Sequence, residues 1–82
     1  MDKELKQRAT EIIKSIMGID ISLMSEETRF NTISEWDSFN NLMLISKLQE
    51  ELCVEFTAVE IEATKNIKDL FNLIWKKCHE IK

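Results

Sequence analysis

The 82-residue chain contains no proline and a single glycine, Gly18. A glycine-rich phosphate loop is excluded, because such loops need several backbone positions free of a side chain. The two cysteines, Cys53 and Cys78, are far apart and match no metal-binding spacing. Each falls at an apolar position of its segment, so both are expected to be buried thiols acting as small hydrophobes. His79 is the lone histidine, with no nucleophile beside it in sequence. No apolar run approaches the roughly 20 residues that span a bilayer, and residues 1–6 lack the apolar core of a signal peptide. No membrane insertion and a cytoplasmic location are expected.

Basic residues are also in short supply. Eleven Lys and Arg face fifteen Asp and Glu, for a net charge of −4. Nucleic-acid binding needs clustered Lys and Arg, so it is not expected. Between Asp37 and Glu62 stand six acids against Lys47 alone, an imbalance that favours partners with basic docking surfaces. The chain is 44% hydrophobic and 32% charged, as an ordered globular domain should be. Its length suits one small domain over residues 1–82. A domain of this size buries only roughly 60% of the surface its unfolded chain exposes, which leaves little room for a deep, dry catalytic pocket.

The apolar periodicity is helical throughout. Leu5, Ala9, Ile12, Ile13, Ile16 and Met17 form one stripe, which predicts a helix over about residues 3–17 closed by Gly18. Residues 18–36 have no sustained period and predict a long loop, pinned by scattered apolar side chains; loops of this length in small domains are often functional. Asp37 is the preferred N-cap of a second helix running to about Leu52, with Ser34 a competing start. Thr57-x-x-Glu60 opens a short third helix at about 58–63, and Asn66-x-x-Asp69 opens the last, with Ile67, Leu70, Phe71, Ile74, Trp75 and Cys78 on its apolar face. The predicted fold is an all-α bundle of four helices, three longer and one short.

On the wheel of the second helix, Leu42, Ile45, Leu48 and Leu52 cluster on a core side, with Leu44 at its margin. Phe39 and Met43 fall roughly opposite, with Ser46, Lys47 and Glu50. Exposed apolar residues ringed by polar ones suggest a docking surface, the alternative being that Phe39 covers the loop or the short third helix. Ser38 stands in the first turn, where backbone N–H groups lack partners inside the helix and the dipole is positive, so a phosphate linked there would be favoured. No histidine or lysine adjoins it in sequence to activate it as a nucleophile.

The run Trp36-Asp37-Ser38-Phe39, followed by Leu42-x-x-Ile45-x-x-Leu48-Gln49-Glu50-Glu51-Leu52-x-Val54-x-Phe56, resembles the acyl carrier protein signature: an Asp-Ser-Leu triplet opening a helix that closes in a Leu-Glu-Glu-Glu-Phe-like run. Phe30 and the final amphipathic helix match as well, so the resemblance covers nearly the whole chain. It implies a phosphoprotein, with 4'-phosphopantetheine attached to Ser38 by a magnesium-dependent phosphopantetheinyl transferase. Asp37 would cap the helix and orient the transferase's metal. The arm's thiol would carry an acyl group as a thioester, and the chain itself, a monomer, would catalyse nothing. Partners would be acyl-activating, acyltransferase or synthase enzymes reading Phe39, Met43, Lys47, Glu50 and Glu51. Leu42, Ile45, Leu48, Phe56, Ile61 and Ile67 would line any acyl cavity.

The chain departs from the signature in several places. Phe39 replaces the usual leucine. Asn40 and Met43 stand at positions often acidic in fatty-acid carriers, Gln49 stands where glutamate is common, and Cys53 where glycine is frequent. With this thinner acidic stripe, the resemblance implies a specialised stand-alone carrier of lipid, polysaccharide-modifying or secondary metabolism, rather than the main carrier of fatty acid biosynthesis. A peptidyl or aminoacyl carrier would share the fold and the arm. A helical interaction module without a prosthetic group is the alternative of a different class. A small enzyme is disfavoured by the lack of a credible acid–base pair or metal cluster.

Overall fold

The structure is a computed structural model describing residues 3–80. Four helices make up the bundle: α1 (Lys3–Met17), α2 (Ser38–Leu52), the short α3 (Ala58–Ala63) and α4 (Ile67–Glu80). Two single 3₁₀ turns, Ile21–Leu23 and Phe30–Thr32, break the loop between α1 and α2. The described residues form no strand, only one isolated antiparallel bridge between Arg29 and Asn66. The expected all-α bundle, three longer helices and one short, is what the chain forms.

Helix α1 buries Ala9, Ile13 and Met17, one turn apart, with Leu5, Ile12 and Ile16 half-buried beside them. It ends at Gly18, whose φ of +75° is left-handed and whose N–H reaches the Lys14 carbonyl at 2.9 Å. A Cβ at this position would meet no atom, so glycine is favoured here by backbone angle and not by space.

The following loop is tied down along its length. Ile21, Ile33 and Trp36 are buried in the core, and Phe30 stacks on Trp36 with ring centroids 4.0 Å apart. Its backbone also pairs with the chain entering α4: the Phe30 N–H donates to the Lys65 carbonyl at 3.0 Å, and the Ile67 N–H to the Thr28 carbonyl at 3.2 Å. Such pairing satisfies polar groups that a crossing loop would otherwise strand.

The predicted caps form. Asp37 accepts from the Asn40 N–H at 2.8 Å and caps α2, and Asn66 accepts from the Asp69 N–H at 2.8 Å. Thr57 and Glu60 make a reciprocal capping box at α3. Glu60 also binds the Lys77 ammonium at 2.8 Å and so fastens α3 to α4.

Three sequence expectations are corrected. Leu44 is fully buried while Leu42 is 66% exposed, because the buried stripe of α2 runs through Leu44, Leu48, Ile45 and Leu52 and turns Leu42 outward. Cys53 is exposed; it closes α2 in the left-handed conformation, with φ 55° and ψ 46°, so its backbone follows the cap while its thiol faces solvent. Trp75 likewise lies at the exposed edge of α4, against the His79 ring. Cys78 is half-buried, and that burial pushes its thiol pKa up.

Two outcomes are expected. Cys53→Gly relieves the side-chain penalty of the left-handed cap and raises stability by about 1 kcal/mol, read as a higher urea midpoint at constant m-value. The hydrogen bond from Lys77, then that from the Thr57 N–H, lowers the Glu60 pKa from 4.5 to about 2. Its contribution to stability is therefore complete above pH 4.5 and is lost as pH falls through about 2. Glu60→Gln should flatten the loss of stability over that window, measured by urea unfolding at stepped pH.

Candidate functional site

The residue pattern singled out in sequence converges where the long loop meets α2. Ser38 is the first residue of that helix and is exposed. Its surroundings are fixed by hydrogen bonds from both sides. The Asn40 side-chain amide donates to the Glu35 carbonyl at 2.8 Å. The Trp36 indole N–H donates to Asn41 Oδ1 at 3.0 Å, and the Asn41 N–H donates to the Asp37 carbonyl at 2.8 Å. With Asp37 engaged in capping, the hydroxyl stands on a frame held from the residues before it and after it.

Beneath it lies a cavity of about 250 Å³ between the loop, α2, α3 and α4. Phe30 and Trp36 form one wall. Ile45, Ile61, Leu70 and Leu73 supply apolar surface, and Asn31, Asn41 and Thr64 supply polar groups; Asp37 and Ser38 sit at its edge. The site thus joins an accessible nucleophilic atom, a helix start that favours an anion and an adjoining groove of mixed polarity. No group of three or more His, Cys, Asp or Glu among the described residues is placed to hold a metal ion.

Of the residues expected to line an acyl cavity, Ile45 and Ile61 line the cavity beside Ser38. Leu48, Phe56 and Ile67 are buried in the bundle core and do not line this cavity. Leu42 lines a separate groove on the outer face of α2 together with Phe39, Met43, Lys47 and Glu50. Phe39 is 70% and Met43 42% exposed. Lys47 reaches Glu50 at 3.6 Å and Glu51 at 3.4 Å, and Glu51 is tied to α1 through Arg8, which donates to its carbonyl at 2.9 Å.

The sequence reading missed the cavity roles of Trp36, Asn41, Thr64, Leu70 and Leu73. Asn41 carried a usable signal, since on the wheel it falls within the arc of Leu44, Leu48 and Ile45, where a polar residue needs a partner. The role of Thr64 had none, because it depends on where α3 docks.

No protein-family model matches the chain. Among solved structures it is similar to an acyl carrier protein from Thermotoga maritima, with a TM-score of 0.76 and 29% identity over 98% of this chain and 93% of that one. The resemblance read from the signature around Ser38 therefore extends to the whole fold.

Ser38→Ala, at an exposed position, should leave unfolding free energy within about 0.5 kcal/mol of the parent. Asp37→Ala, which removes the α2 cap, should cost about 1 kcal/mol. Urea denaturation of the two variants in parallel checks both.

Proposed function

We propose that this chain, an acyl carrier protein by fold and by likeness along its length, carries 4'-phosphopantetheine on Ser38 and presents acyl intermediates to the enzymes of a dedicated biosynthetic pathway. The observation that carries this reading is the placement of Ser38: an exposed hydroxyl on a capped helix start, at the edge of a cavity, in a chain similar end to end to a solved carrier.

The residues present fit the group. The start of α2 offers a phosphodiester its backbone N–H groups and positive dipole end. Asp37 holds the turn by accepting from Asn40 and is exposed next to Ser38 in the chain, and in this reading it helps orient the transferase's magnesium. Attachment joins Ser38 Oγ to the pantetheine phosphorus and breaks the pyrophosphate P–O bond of coenzyme A, releasing adenosine bisphosphate and one proton. When bound, the arm supplies a thiol that holds an acyl group as a thioester at high effective concentration. The chain's own part is to hold, orient and be recognised. Asn31, Asn41 and Thr64 offer hydrogen bonds along the groove, and Ile45 and Ile61 offer apolar contact.

In this reading residues 1–82 are a single, monomeric, non-catalytic carrier acting in the cytoplasm. Its partners are a phosphopantetheinyl transferase and acyl-activating, acyltransferase or synthase enzymes. No helix among the described residues is long and apolar enough to cross a membrane.

Incubation with coenzyme A, magnesium and a broad-specificity phosphopantetheinyl transferase should add the mass of one phosphopantetheine to the intact protein and none to Ser38→Ala. A folded wild type that gains no mass would favour the interaction module without a prosthetic group.

A further inference from the structure

The cavity beside Ser38 is small, and its lining is only partly apolar. Its volume is about 250 Å³, below the roughly 300–1,000 Å³ common for small-molecule pockets. Asn41 and Thr64 share the lining with Ile45 and Ile61, and both are half-buried. The hydrogen bonds that each already makes decide what each has left to offer.

Trp36 sets the orientation of Asn41. An indole N–H can only donate, so it must be met by Asn41 Oδ1, which it reaches at 3.0 Å. The other end of the carboxamide, Nδ2, is then a donor of fixed direction, and it finds no acceptor among the described residues. Thr64, the C-cap of α3, is the converse. Its hydroxyl donates to the Glu60 carbonyl at 2.8 Å, which leaves its oxygen as an acceptor. The lining therefore holds one donor on α2 and one acceptor at the end of α3.

An occupant is selected by both. A saturated chain would displace water from Asn41 and Thr64 and pair with neither, leaving a donor and an acceptor unsatisfied. A keto oxygen serves Asn41 alone, and an ammonium serves Thr64 alone. A carboxylate is repelled by Asp37, the one charged side chain of the lining. A hydroxyl is the smallest group that both accepts and donates. We propose that the cavity takes a short hydroxyacyl group, whose hydroxyl accepts from Asn41 Nδ2 and donates to Thr64 Oγ1 while its carbon chain lies against Ile45 and Ile61. Asn41 is thereby a specificity-determining residue and Trp36 a positioning residue that aims it. The inference rests on the carrier reading of Ser38 and names the cargo. The arm brings a hydroxyl and amides of its own, so the arm without cargo is the comparison that separates the two sources of oxygen.

The test loads Ser38 with a broad-specificity transferase from coenzyme A, butyryl-, 3-hydroxybutyryl- and octanoyl-coenzyme A, each product verified by intact mass. Thioester cleavage by hydroxylamine is timed relative to the same acyl-coenzyme A, and the side-chain amide resonance of Asn41 is followed in isotope-labelled protein. The hydroxybutyryl form should be cleaved about fivefold more slowly than the butyryl and octanoyl forms, the scale of one net hydrogen bond, and it alone should displace the Asn41 resonance from its place in the holo protein. Asn41→Asp keeps an acceptor for Trp36 and removes the donor, and Thr64→Val removes the acceptor at similar volume. Each variant, confirmed as folded by circular dichroism, should lose the protection. Equal cleavage of the hydroxybutyryl and butyryl forms, stronger protection of octanoyl, protection kept in both variants, or an Asn41 resonance displaced as far by the bare arm overturns this inference and leaves the carrier reading standing. A wild type that is never loaded overturns both.

Discussion

The position of Ser38 depends on how a twenty-residue connection with little regular structure is held across the bundle. Its backbone would strand polar groups against an apolar core unless they were paired, and the pairing is supplied by the chain entering α4. Phe30 and Trp36 then lay a flat aromatic double layer over the interior, and the indole N–H is satisfied by Asn41 of the helix that follows. The loop is thereby locked at its middle to the chain entering α4 and at its end to α2. Asp37 and Ser38 emerge where those two attachments leave them.

The division of labour within α2 follows from the same arrangement. One arc is committed to the core through Leu44, Leu48 and Leu52. Its C-terminal end is held by Arg8 from α1 and by the Gln49 side chain, which accepts from the Phe56 N–H at 2.9 Å and turns the chain toward α3. Packing therefore leaves Phe39, Leu42 and Met43 exposed on the outer arc.

What could be read from the sequence was what is local. Gly18, Asp37, Thr57 with Glu60, and Asn66 act within three or four residues of themselves, and each caps the helix that its spacing indicated. Stripe membership was legible for α1, whose apolar arc is broad. It failed at Leu42 and Leu44 because both flank the stripe of α2, and the docking of other elements decides which flank is covered. Cys53 misled for a different reason. Its place in the apolar run suggested burial, while its backbone obeys the left-handed geometry of a helix end, and the glycine frequent at that place in carriers was the better guide. Around Ser38 the attachment point and its cap were legible, but the cavity was only partly so. Its walls come from four separate stretches of chain, and sequence spacing says nothing of how α3 leans on α4.

The two tryptophans stand in contrasting surroundings. Trp36 is buried, stacked and hydrogen-bonded two residues before Ser38, while Trp75 lies at the exposed edge of α4 beside His79. Collisional quenchers dissolved in water reach the second indole far more readily than the first. The emission that survives quenching comes mainly from the wall of the cavity, so the chain carries its own optical gauge of what enters the space beside Ser38, without an added label.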